Sequence, residues 1–281
     1  MRVACVGDVM LDVIVRAEHP LAVDDDTEAS ITFAAGGQAA NVATWVVDLG
    51  GEAVVFGPHG PAAGELAVTA LRGRGVEVVG PAVERSGAVV SLVADGQRSM
   101  ASDGGDRSWL SEVAPGPWCD AIDWLFVSGY ALLRSRRPEL LADLAEHVRA
   151  AGAGVAVDLS SAAMIAAYGP QRFTRLWRSL HPAVVFANHD EWGIAAGCFE
   201  GVLVHKNGAN GAEFDGIRHR PDPDAPVIDV TGAGDALAAG YLVGGPELGM
   251  HAAARCVAQV GAQPTGQADG PARGTDGQSA P

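Results

Sequence analysis

One stretch near the C-terminus decides the fold: Asp229-Val230-Thr231-Gly232-Ala233-Gly234-Asp235, which continues into the small-residue run Ala236–Gly240. This pattern predicts a glycine loop that leads into a helix. Gly232 and Gly234 would let the backbone approach a ligand without interference from a Cβ atom. Unpaired amides at the helix start, together with the helix dipole, form a site for an anion. Asp235 would lie in the first turn, where an ionised carboxylate can accept the proton of a hydroxyl.

Taken alone, this segment leaves two interpretations open. It is either a loop that handles phosphate, or a helix whose first turn is acidic after a glycine-rich loop. The chain contains no Gly-x-x-x-x-Gly-Lys-[Ser/Thr] sequence, so a P-loop is unsupported. Gly7-Asp8-Val9-Met10 follows the first strand in place of Gly-x-Gly-x-x-Gly, which argues against a dinucleotide-binding Rossmann unit.

Short apolar runs alternate with helical patterns along the rest of the chain. Strands separated by helices imply right-handed crossovers and a largely parallel sheet with helices on both faces. Asp158, at the end of one such run, either reaches the cleft or caps the next helix. The predicted strands are Val3–Val6, Ala53–Phe56, Trp124–Val127, Gly154–Val157, Ala183–Phe186 and Val202–His205, and the helices include Ala39–Leu49, Gly64–Arg74 and Pro138–Ala151.

Two segments break this alternation. Residues 12–34 and 86–101 contain alternating β-type runs with no helix between them, which predicts a small antiparallel β-appendage inserted into the main domain. We expect that domain to span residues 1–265. Residues 266–281 have almost no apolar periodicity and are predicted to form a disordered tail.

Composition excludes several functional classes. The net charge of −15 leaves no basic surface for nucleic acid, so a bound phosphate must be held locally. No apolar stretch approaches the ~18 residues of a membrane span. The four cysteines are scattered without zinc-type spacing, and acidic residues interrupt the apolar start too early for a signal peptide, so we expect a cytoplasmic protein.

A second glycine signal lies early in the chain, at Ala35-Gly36-Gly37-Gln38-Ala39-Ala40-Asn41. A glycine pair at the mouth of a helix offers a backbone wall for a polyhydroxylated ligand. Asn41, one turn further, carries both a donor and an acceptor for hydroxyls. By itself this segment is equally consistent with a tight turn into a helix.

Together the two segments resemble the two signature motifs of the PfkB carbohydrate kinase family, also called ribokinase-like. The early motif is accompanied by Ala43, Gly50 and Gly60 at the family spacing, and the late motif is matched by Asp229–Asp235. The resemblance extends from Val3 to about Gly261. It implies a ribokinase-like three-layer α/β/α domain with a largely parallel central sheet and a small β-lid formed by the two inserted segments.

The resemblance also implies an activity: ATP-dependent phosphorylation of a hydroxymethyl group on a small sugar or sugar-like molecule. The implied catalytic residues are the general base Asp235 and the anion-hole residues Gly232, Ala233 and Gly234. The implied substrate-binding residues are Asp12, Gly36, Gly37 and Asn41.

On the nucleotide side, Asn188-His189-Asp190-Glu191 is similar to the family's Asn-x-x-Glu motif, which helps to place Mg²⁺ largely through water. This makes Glu191 the candidate metal residue. Val204–Gly211 resembles the family's strand and Gly-x-x-Gly turn near ATP, although Lys206 also fits a surface lysine at a strand end. The implied cofactors are ATP and Mg²⁺, with a monovalent cation left open. The implied nucleotide-binding residues are Asn188, Lys206, Gly208 and Gly211.

In the lid, the segment from Arg98 to Gly105 is similar to one found in sugar and keto-sugar-acid kinases, which usually carry Arg where this chain has Gly104. Arg98 and Asp103 are therefore candidate substrate-binding residues, with plain solvent exposure as the alternative. Gln38 stands where ribokinases carry Lys, which counts against ribose. The lid of this family covers the sugar and often supports a homodimer.

Two alternatives to a sugar kinase stay open at this point. One is a nucleoside kinase of the same family, which would need a pocket wall suited to a base. The other is a catalytically silent protein that binds a sugar or a nucleotide and acts as a regulator.

Overall fold

The structure is a computed structural model that describes residues 1–95, 97–195 and 197–265. The predicted tail, 266–281, lies outside the described residues. The strands are β1 (Arg2–Val6), β2 (Met10–Ala17), β3 (Ala29–Gly36), β4 (Glu52–Phe56), β5 (Glu77–Val79), β6 (Gly87–Ala94), β7 (Gln97–Asp103), β8 (Trp124–Ser128), β9 (Gly154–Asp158), β10 (Val184–Asn188), β11 (Val202–Lys206), β12 (Ala212–Phe214) and β13 (Ile217–His219). The helices are α1 (Gln38–Asp48), α2 (Ala63–Gly73), α3 (Gly129–Arg134), α4 (Glu139–Ala150), α5 (Ala162–Tyr168), α6 (Pro170–Arg178), α7 (His189–Ala195), α8 (Ala233–Gly244) and α9 (Pro246–Val257).

The central sheet has nine strands in the order β13-β12-β11-β10-β9-β8-β1-β4-β5. All pairings from β5 to β11 are parallel, and only the edge strands β12 and β13 run antiparallel. The chain leaves β1 toward β4 and β5, then returns to β8 on the other side of β1. In open α/β sheets such a reversal opens a crevice at the carboxyl ends of the strands. The functional site is expected there.

Alternating side chains of the buried strands explain the three layers. In β1, Val3 and Cys5 pack into one apolar cluster, together with Trp45 of α1. Ala4 and Val6 pack into a second cluster on the other face. Because neighbouring residues of a strand point to opposite faces, each parallel strand needs a helix layer on both sides. The three-layer α/β/α prediction is confirmed. Among the helices in the described ranges, none has the length and apolarity needed to cross a membrane.

The two inserted segments form one four-stranded sheet in the order β3-β2-β6-β7. The prediction that this sheet is antiparallel is wrong at one pairing, because β2 and β6 run parallel. Ile14 of β2, Ser91 of β6 and Met100 of β7 are neighbours in the register and point over the crevice. The sheet therefore lies as a lid over the carboxyl ends of the central strands.

Candidate active site

A cavity of about 540 Å³ lies between the lid and the carboxyl ends of the central strands. Its floor includes Gly232, Gly234 and Asp235 at the start of α8, and its roof includes Asp12 of the lid. The late glycine loop and the early lid strand are far apart in the sequence, and the fold brings them to one site.

A left-handed turn at Gly232 sets the start of α8. Gly232 has a φ of 76° and immediately precedes the helix. A Cβ atom at this position would lie 2.5 Å from the Cβ of Ala262. Glycine is therefore required both by the backbone conformation and by the close approach of the 262 loop.

The helix start leaves a smaller anion site than expected. The amide of Ala233 donates to the carbonyl of Val230 at 3.3 Å, because the turn at Gly232 folds the chain back. The Ala233 amide is therefore already paired in this structure, and its role as an anion-hole donor stays a prediction. Within the described part of the chain, the amides of Gly234 and Asp235 have no protein acceptor. These two amides, with the positive end of the α8 dipole, can hold an anion.

The Asp235 carboxylate lies within a set of amide groups. The Nδ2 atom of Asn41 donates to Oδ2 of Asp235 at 2.9 Å. Burial raises the pKa of Asp235 to about 7, and the charge of Asp158 adds to this rise. The hydrogen bonds from Asn41 and Gln38, and the charge of Lys206, act in the opposite direction. A carboxylate with a pKa near 7 is well matched to take a proton from a hydroxyl at neutral pH.

Gln38, the first residue of α1, bore on the substrate in the sequence analysis, but its contact with Asp235 was not predicted. Its Oε1 atom accepts hydrogen bonds from Ser128 at 2.6 Å and from Ser160 at 2.7 Å. Because two hydroxyl donors occupy the oxygen, the amide nitrogen is the group that is left to donate to Asp235. The two serines come from the ends of β8 and β9, so only the folded sheet reveals this arrangement.

Asn41 contacts Asp235 as well as lining the cavity. Its Nδ2 atom donates to Asp235 as described, and its Oδ1 atom accepts from Nε2 of Gln263 at 3.4 Å. Both Asn41 and Gln263 are buried. The prediction that Asn41 contacts substrate hydroxyls stays a prediction, and in the structure its side chain also contacts the Asp235 carboxylate.

Lys206 is held by an ion pair at the end of β11. Its Nζ atom lies 2.9 and 2.8 Å from the two carboxylate oxygens of Asp158, at the end of β9. It also lies 3.7 Å from Glu191. Burial favours the neutral amine, but Asp158 and Glu191 outweigh it, so the pKa of Lys206 is raised. Asp158 is fully buried, and it does not cap the next helix, whose N-cap is Ser161; its carboxylate is instead held below the cleft by Lys206.

A second cavity of about 640 Å³ adjoins the first and also has Lys206 in its wall. Asn188 and Asn207 line it, as does Arg218 of β13, which the sequence did not suggest as a site residue. Lys206 therefore lies between a cavity at Asp235 and a cavity at the predicted nucleotide motif. A lysine in this position can interact with phosphate oxygens as a point charge.

The Asn-x-x-Glu motif forms the start of α7. Asn188 donates to Glu191 through its backbone amide at 2.8 Å and through Nδ2 at 2.9 Å, and accepts from the Glu191 amide at 2.8 Å. Glu191 is only 3% exposed, and burial raises its pKa. Both carboxylate oxygens are therefore engaged within the protein. This arrangement suits contact of Glu191 with the water ligands of a Mg²⁺ ion, and the metal role of Glu191 stays a prediction.

The predicted turn after β11 lies at the rim of the nucleotide-side cavity. Gly208 begins a short 3₁₀ turn that ends before Gly211. Its neighbours Asn207 and Asn210 line the cavity. The backbone of this turn therefore lies at the same cavity as Asn188, on the predicted nucleotide side.

The substrate-side predictions divide into two groups. Asp12 lines the cavity, and its carboxylate packs so closely on Gly36 that a Cβ atom there would overlap it. Gly37 lines the cavity as well. Asp103 is instead 59% exposed and pairs with Arg85. Since its neighbour Ser102 faces the cavity, alternation along β7 turns Asp103 to the outer face, so Asp103 is not a pocket residue.

The side chain of Arg98 lies outside the described residues, so its predicted role is not tested. Two further charged residues do line the cavity. Asp8 follows β1, and Arg134 is the last residue of α3, and the two form an ion pair. Neither was a predicted site residue.

The structure combines a doubly wound α/β fold, a covering β-sheet, free amides at a helix start and a buried carboxylate in the cavity wall, and this combination is typical of phosphotransferases that act on small molecules. The chain belongs to the pfkB family of carbohydrate kinases, whose family model matches residues 1–268. Members of this family transfer phosphoryl groups, and the chain is accordingly a kinase that uses ATP.

Comparison with known proteins supports this assignment. The chain is 32% identical over 263 residues to the ATP-dependent ribose-1-phosphate kinase of Halopiger xanaduensis, covering 86% of this chain and 84% of that protein. A probable sugar kinase from Rhizobium etli has a TM-score of 0.78 at 22% identity, covering 94% of this chain and 95% of that one. The adenosine kinase of Sinorhizobium meliloti has a TM-score of 0.78 at 23% identity, covering 93% and 95%. The two structures establish the shared fold.

Proposed function

We propose that this protein transfers the γ-phosphoryl group of ATP to the hydroxymethyl oxygen of a small sugar or sugar-like molecule, with Asp235 as the general base. One observation carries the proposal. The Asp235 carboxylate, with a pKa of about 7, lies in the cavity beside two unpaired amides at the start of a helix. A proton acceptor next to an anion site is what an alcohol needs in order to attack a phosphoryl group.

Each residue has a distinct part in the proposed reaction. Asp235 accepts the proton of the attacking hydroxyl, while Asn41 and Gln38 hold its carboxylate in place. The amides of Gly234 and Asp235 stabilise the charge that spreads over the phosphoryl oxygens. Lys206 lies between the two cavities, where the phosphoryl group would cross from ATP to the sugar. When the sugar and ATP bind, the lid must exclude water from the site. Water would otherwise take the place of the sugar hydroxyl and hydrolyse ATP.

Magnesium fits this arrangement through the nucleotide. When bound with ATP, Mg²⁺ neutralises charge on the phosphates. The protein's own carboxylates near Lys206 are occupied, Asp158 by the lysine and Glu191 by Asn188. Mg²⁺ usually keeps several waters and binds through few carboxylates. We therefore assign Glu191 to contact with the water ligands of Mg²⁺.

The substrate class is supported by the similar kinase from Halopiger xanaduensis. Its name gives ribose 1-phosphate as its substrate, and ribose 1-phosphate is a sugar derivative with a free hydroxymethyl group. The cavity volume of about 540 Å³ suits a ligand of this size.

The outer face of the lid is suited to a second copy of the chain. Ile31, Phe33 and Val90 lie on this face and are 57%, 62% and 42% exposed. Phe33 and Val90 both neighbour Val13 in the register, so the apolar side chains are contiguous. Light scattering of the wild type and of Phe33→Asp tests the dimer: the wild type is expected at twice the monomer mass and the variant at the monomer mass. A monomeric wild type would contradict it.

The activity is tested by measuring ATP consumption with neutral sugars, sugar phosphates, sugar acids and nucleosides. Asp235→Asn is expected to lose at least the ~10²–10⁴-fold typical of a general base. Asp143→Asn, at an exposed position on α4, is the matched control and should keep wild-type turnover. Near wild-type turnover of Asp235→Asn would refute the assigned role. Preference for a nucleoside would favour the nucleoside-kinase alternative, and binding without turnover would favour a silent binding protein.

A further inference from the structure

Three side chains that carry metal-binding donors meet at the end of the central sheet opposite the candidate active site. Cys119, Asp120 and His147 offer a thiol sulfur, a carboxylate oxygen and an imidazole nitrogen, and these atoms all lie within 4.8 Å of one another. Among the described residues this is the one group of three such side chains with donors so close together. The sequence shows no zinc-type spacing here because His147 comes from α4, far along the chain from the cysteine.

The cluster lies at the amino ends of the central strands. Cys119 ends a short 3₁₀ turn just before β8. The carbonyl of Asp120 accepts from Nη1 of Arg2, the first residue of β1, at 3.4 Å. Because β8 and β9 are parallel, α4 returns the chain to the amino end of β9, and its last turn brings His147 to this edge. The five residues of β1 span about 13 Å, so the cluster is separate from the cavity at the carboxyl ends.

Cys119 is a free, buried thiol in a backbone turn that suits a thiolate. The thiol donates to the carbonyl of Gly116 at 3.2 Å, and the Gly116 amide donates to the sulfur at 3.5 Å. When a metal ion binds, the S–H bond breaks, a metal–sulfur bond forms and the proton passes to solvent. The contact with the carbonyl is then lost, whereas the hydrogen bond from the amide supports the negative sulfur.

The other two donors are exposed, so they can adjust to an ion. Within the described ranges, neither the Asp120 carboxylate nor the His147 ring has a hydrogen bond or an ion pair with another protein group. Donors on one Zn²⁺ lie about 3.3–3.7 Å apart, since Zn–S is about 2.3 Å and Zn–N and Zn–O are about 2.0–2.2 Å. A spacing of up to 4.8 Å therefore has to shorten by about 1 Å, which rotation of two exposed side chains can supply.

The charges at the cluster suit a divalent cation. A Cys119 thiolate and the Asp120 carboxylate together carry two negative charges, which balance one Zn²⁺. His147 lies in the last turn of α4, where the helix dipole has its negative end. Arg2, the cation that contacts the Asp120 carbonyl, is itself paired with Glu77 at 3.4 Å. The cluster therefore offers both the donors and the charge that a Zn²⁺ ion needs.

We infer that Cys119, Asp120 and His147 bind one Zn²⁺ ion at the amino ends of the central strands, with water in the remaining coordination position. Thiolate and imidazole are ordinary ligands of Zn²⁺, whereas Mg²⁺ and Ca²⁺ take oxygen ligands. The ion links the loop before β8 to α4, and its binding stabilises the folded chain. This site takes no part in the proposed phosphoryl transfer, so the two proposals stand or fall separately.

The experiment titrates Zn²⁺ into the full-length protein by calorimetry, after treatment with a chelator and buffer exchange. A phosphine reductant keeps the thiols reduced, and excess Mg²⁺ fills sites that have only oxygen ligands. The variants are Cys119→Ser and His147→Gln. The matched controls are Cys198→Ser and His251→Gln, which change the same residue types at exposed positions outside the cluster. His147 is exposed, so His147→Gln decides the question if Cys119→Ser fails to fold.

The wild type should bind one Zn²⁺ per chain. Each cluster variant should raise the Kd for Zn²⁺ at least about 100-fold, because even the loss of an outer partner of a metal ligand costs about 10–100-fold. Both controls should bind Zn²⁺ as the wild type does. With Co²⁺ in place of Zn²⁺, the wild type should show the near-ultraviolet charge-transfer band of a thiolate ligand, and Cys119→Ser should lack it. Saturating Zn²⁺ should raise the Tm of the wild type but not that of His147→Gln.

Two results would overturn the inference. The first is a wild type that binds no Zn²⁺, or a folded cluster variant that binds it with the wild-type Kd. The second is binding that Asp235→Asn weakens and His147→Gln does not, which would place the ion at the active site.

Discussion

Replacing Asp235 with asparagine should abolish activity and, at neutral to alkaline pH, stabilise the fold. The buried carboxylate has a pKa of about 7, whereas an aspartate in an unfolded chain has a pKa of about 3.9. Between these values the folded protein holds a proton that the unfolded chain releases. The contribution of this proton to stability is therefore full at low pH and is lost as the pH rises through 7.

The magnitude follows from the pKa difference. About 1.4 kcal/mol corresponds to a tenfold change in proton affinity, so ionised Asp235 lowers the free energy of unfolding by at most about 4 kcal/mol. At pH 5 only about a third of this penalty is present. The asparagine side chain of the variant cannot ionise. The free-energy cost of an unfavourable contact between its amide and Asn41 is therefore the same at both pH values. The stability gain of the variant should therefore be larger at pH 8 than at pH 5 by about 1–3 kcal/mol.

Urea unfolding of the wild type and of Asp235→Asn at pH 5 and pH 8 measures this difference directly. The pH dependence of kcat/KM gives an independent check. Activity of the wild type should fall about tenfold per pH unit below the pKa of the base, and the midpoint should lie near 7. A stability gain that is equal at both pH values, or an activity that persists unchanged to pH 5, would refute the assignment of a raised pKa to Asp235.

Three further substitutions test the surroundings of the base. Lys206→Met leaves the buried Asp158 without its partner, so we expect a loss of about 3–5 kcal/mol in urea unfolding together with a raised KM for ATP. Gly232→Ala places a side chain at a φ of 76°, which should cost about 1–3 kcal/mol and weaken ATP turnover. Gln38→Leu removes an amide donor from ionised Asp235, so the midpoint of the pH–rate profile should move up by several tenths of a pH unit or more.

Several local features of the fold were accessible from the sequence because local patterns encode them. Continuous apolar runs such as Val3–Val6 became buried parallel strands, since such strands need apolar side chains on both faces. The glycine loop before α8 was predictable because few residues other than glycine tolerate the turn at Gly232.

The details that the sequence missed depend on pairings between distant segments. The parallel pairing of β2 with β6 joins segments separated by β3, α1, β4, α2 and β5, and alternating patterns occur in parallel and antiparallel strands alike. The sequence left substrate contact and solvent exposure open for Asp103, and only the register of β7 shows that its side chain turns outward. The ion pair between Arg134 and Asp8 has no local sequence signature, because it joins the end of α3 to the loop after β1.

The order of residues along the chain alone determined the class of fold, the glycine-rich helix start and the identity of the acidic residue beside it, because each depends on neighbours within a few positions. Only the tertiary structure decided which groups set the pKa of Asp235. The amides of Gln38 and Asn41 come from the start of α1, whereas Asp158 and Lys206 come from the ends of β9 and β11, and electrostatic interactions depend on distance in space. Separation along the chain does not report that distance, so the proton affinity of Asp235 and the polarity of the cavity are properties of the folded molecule.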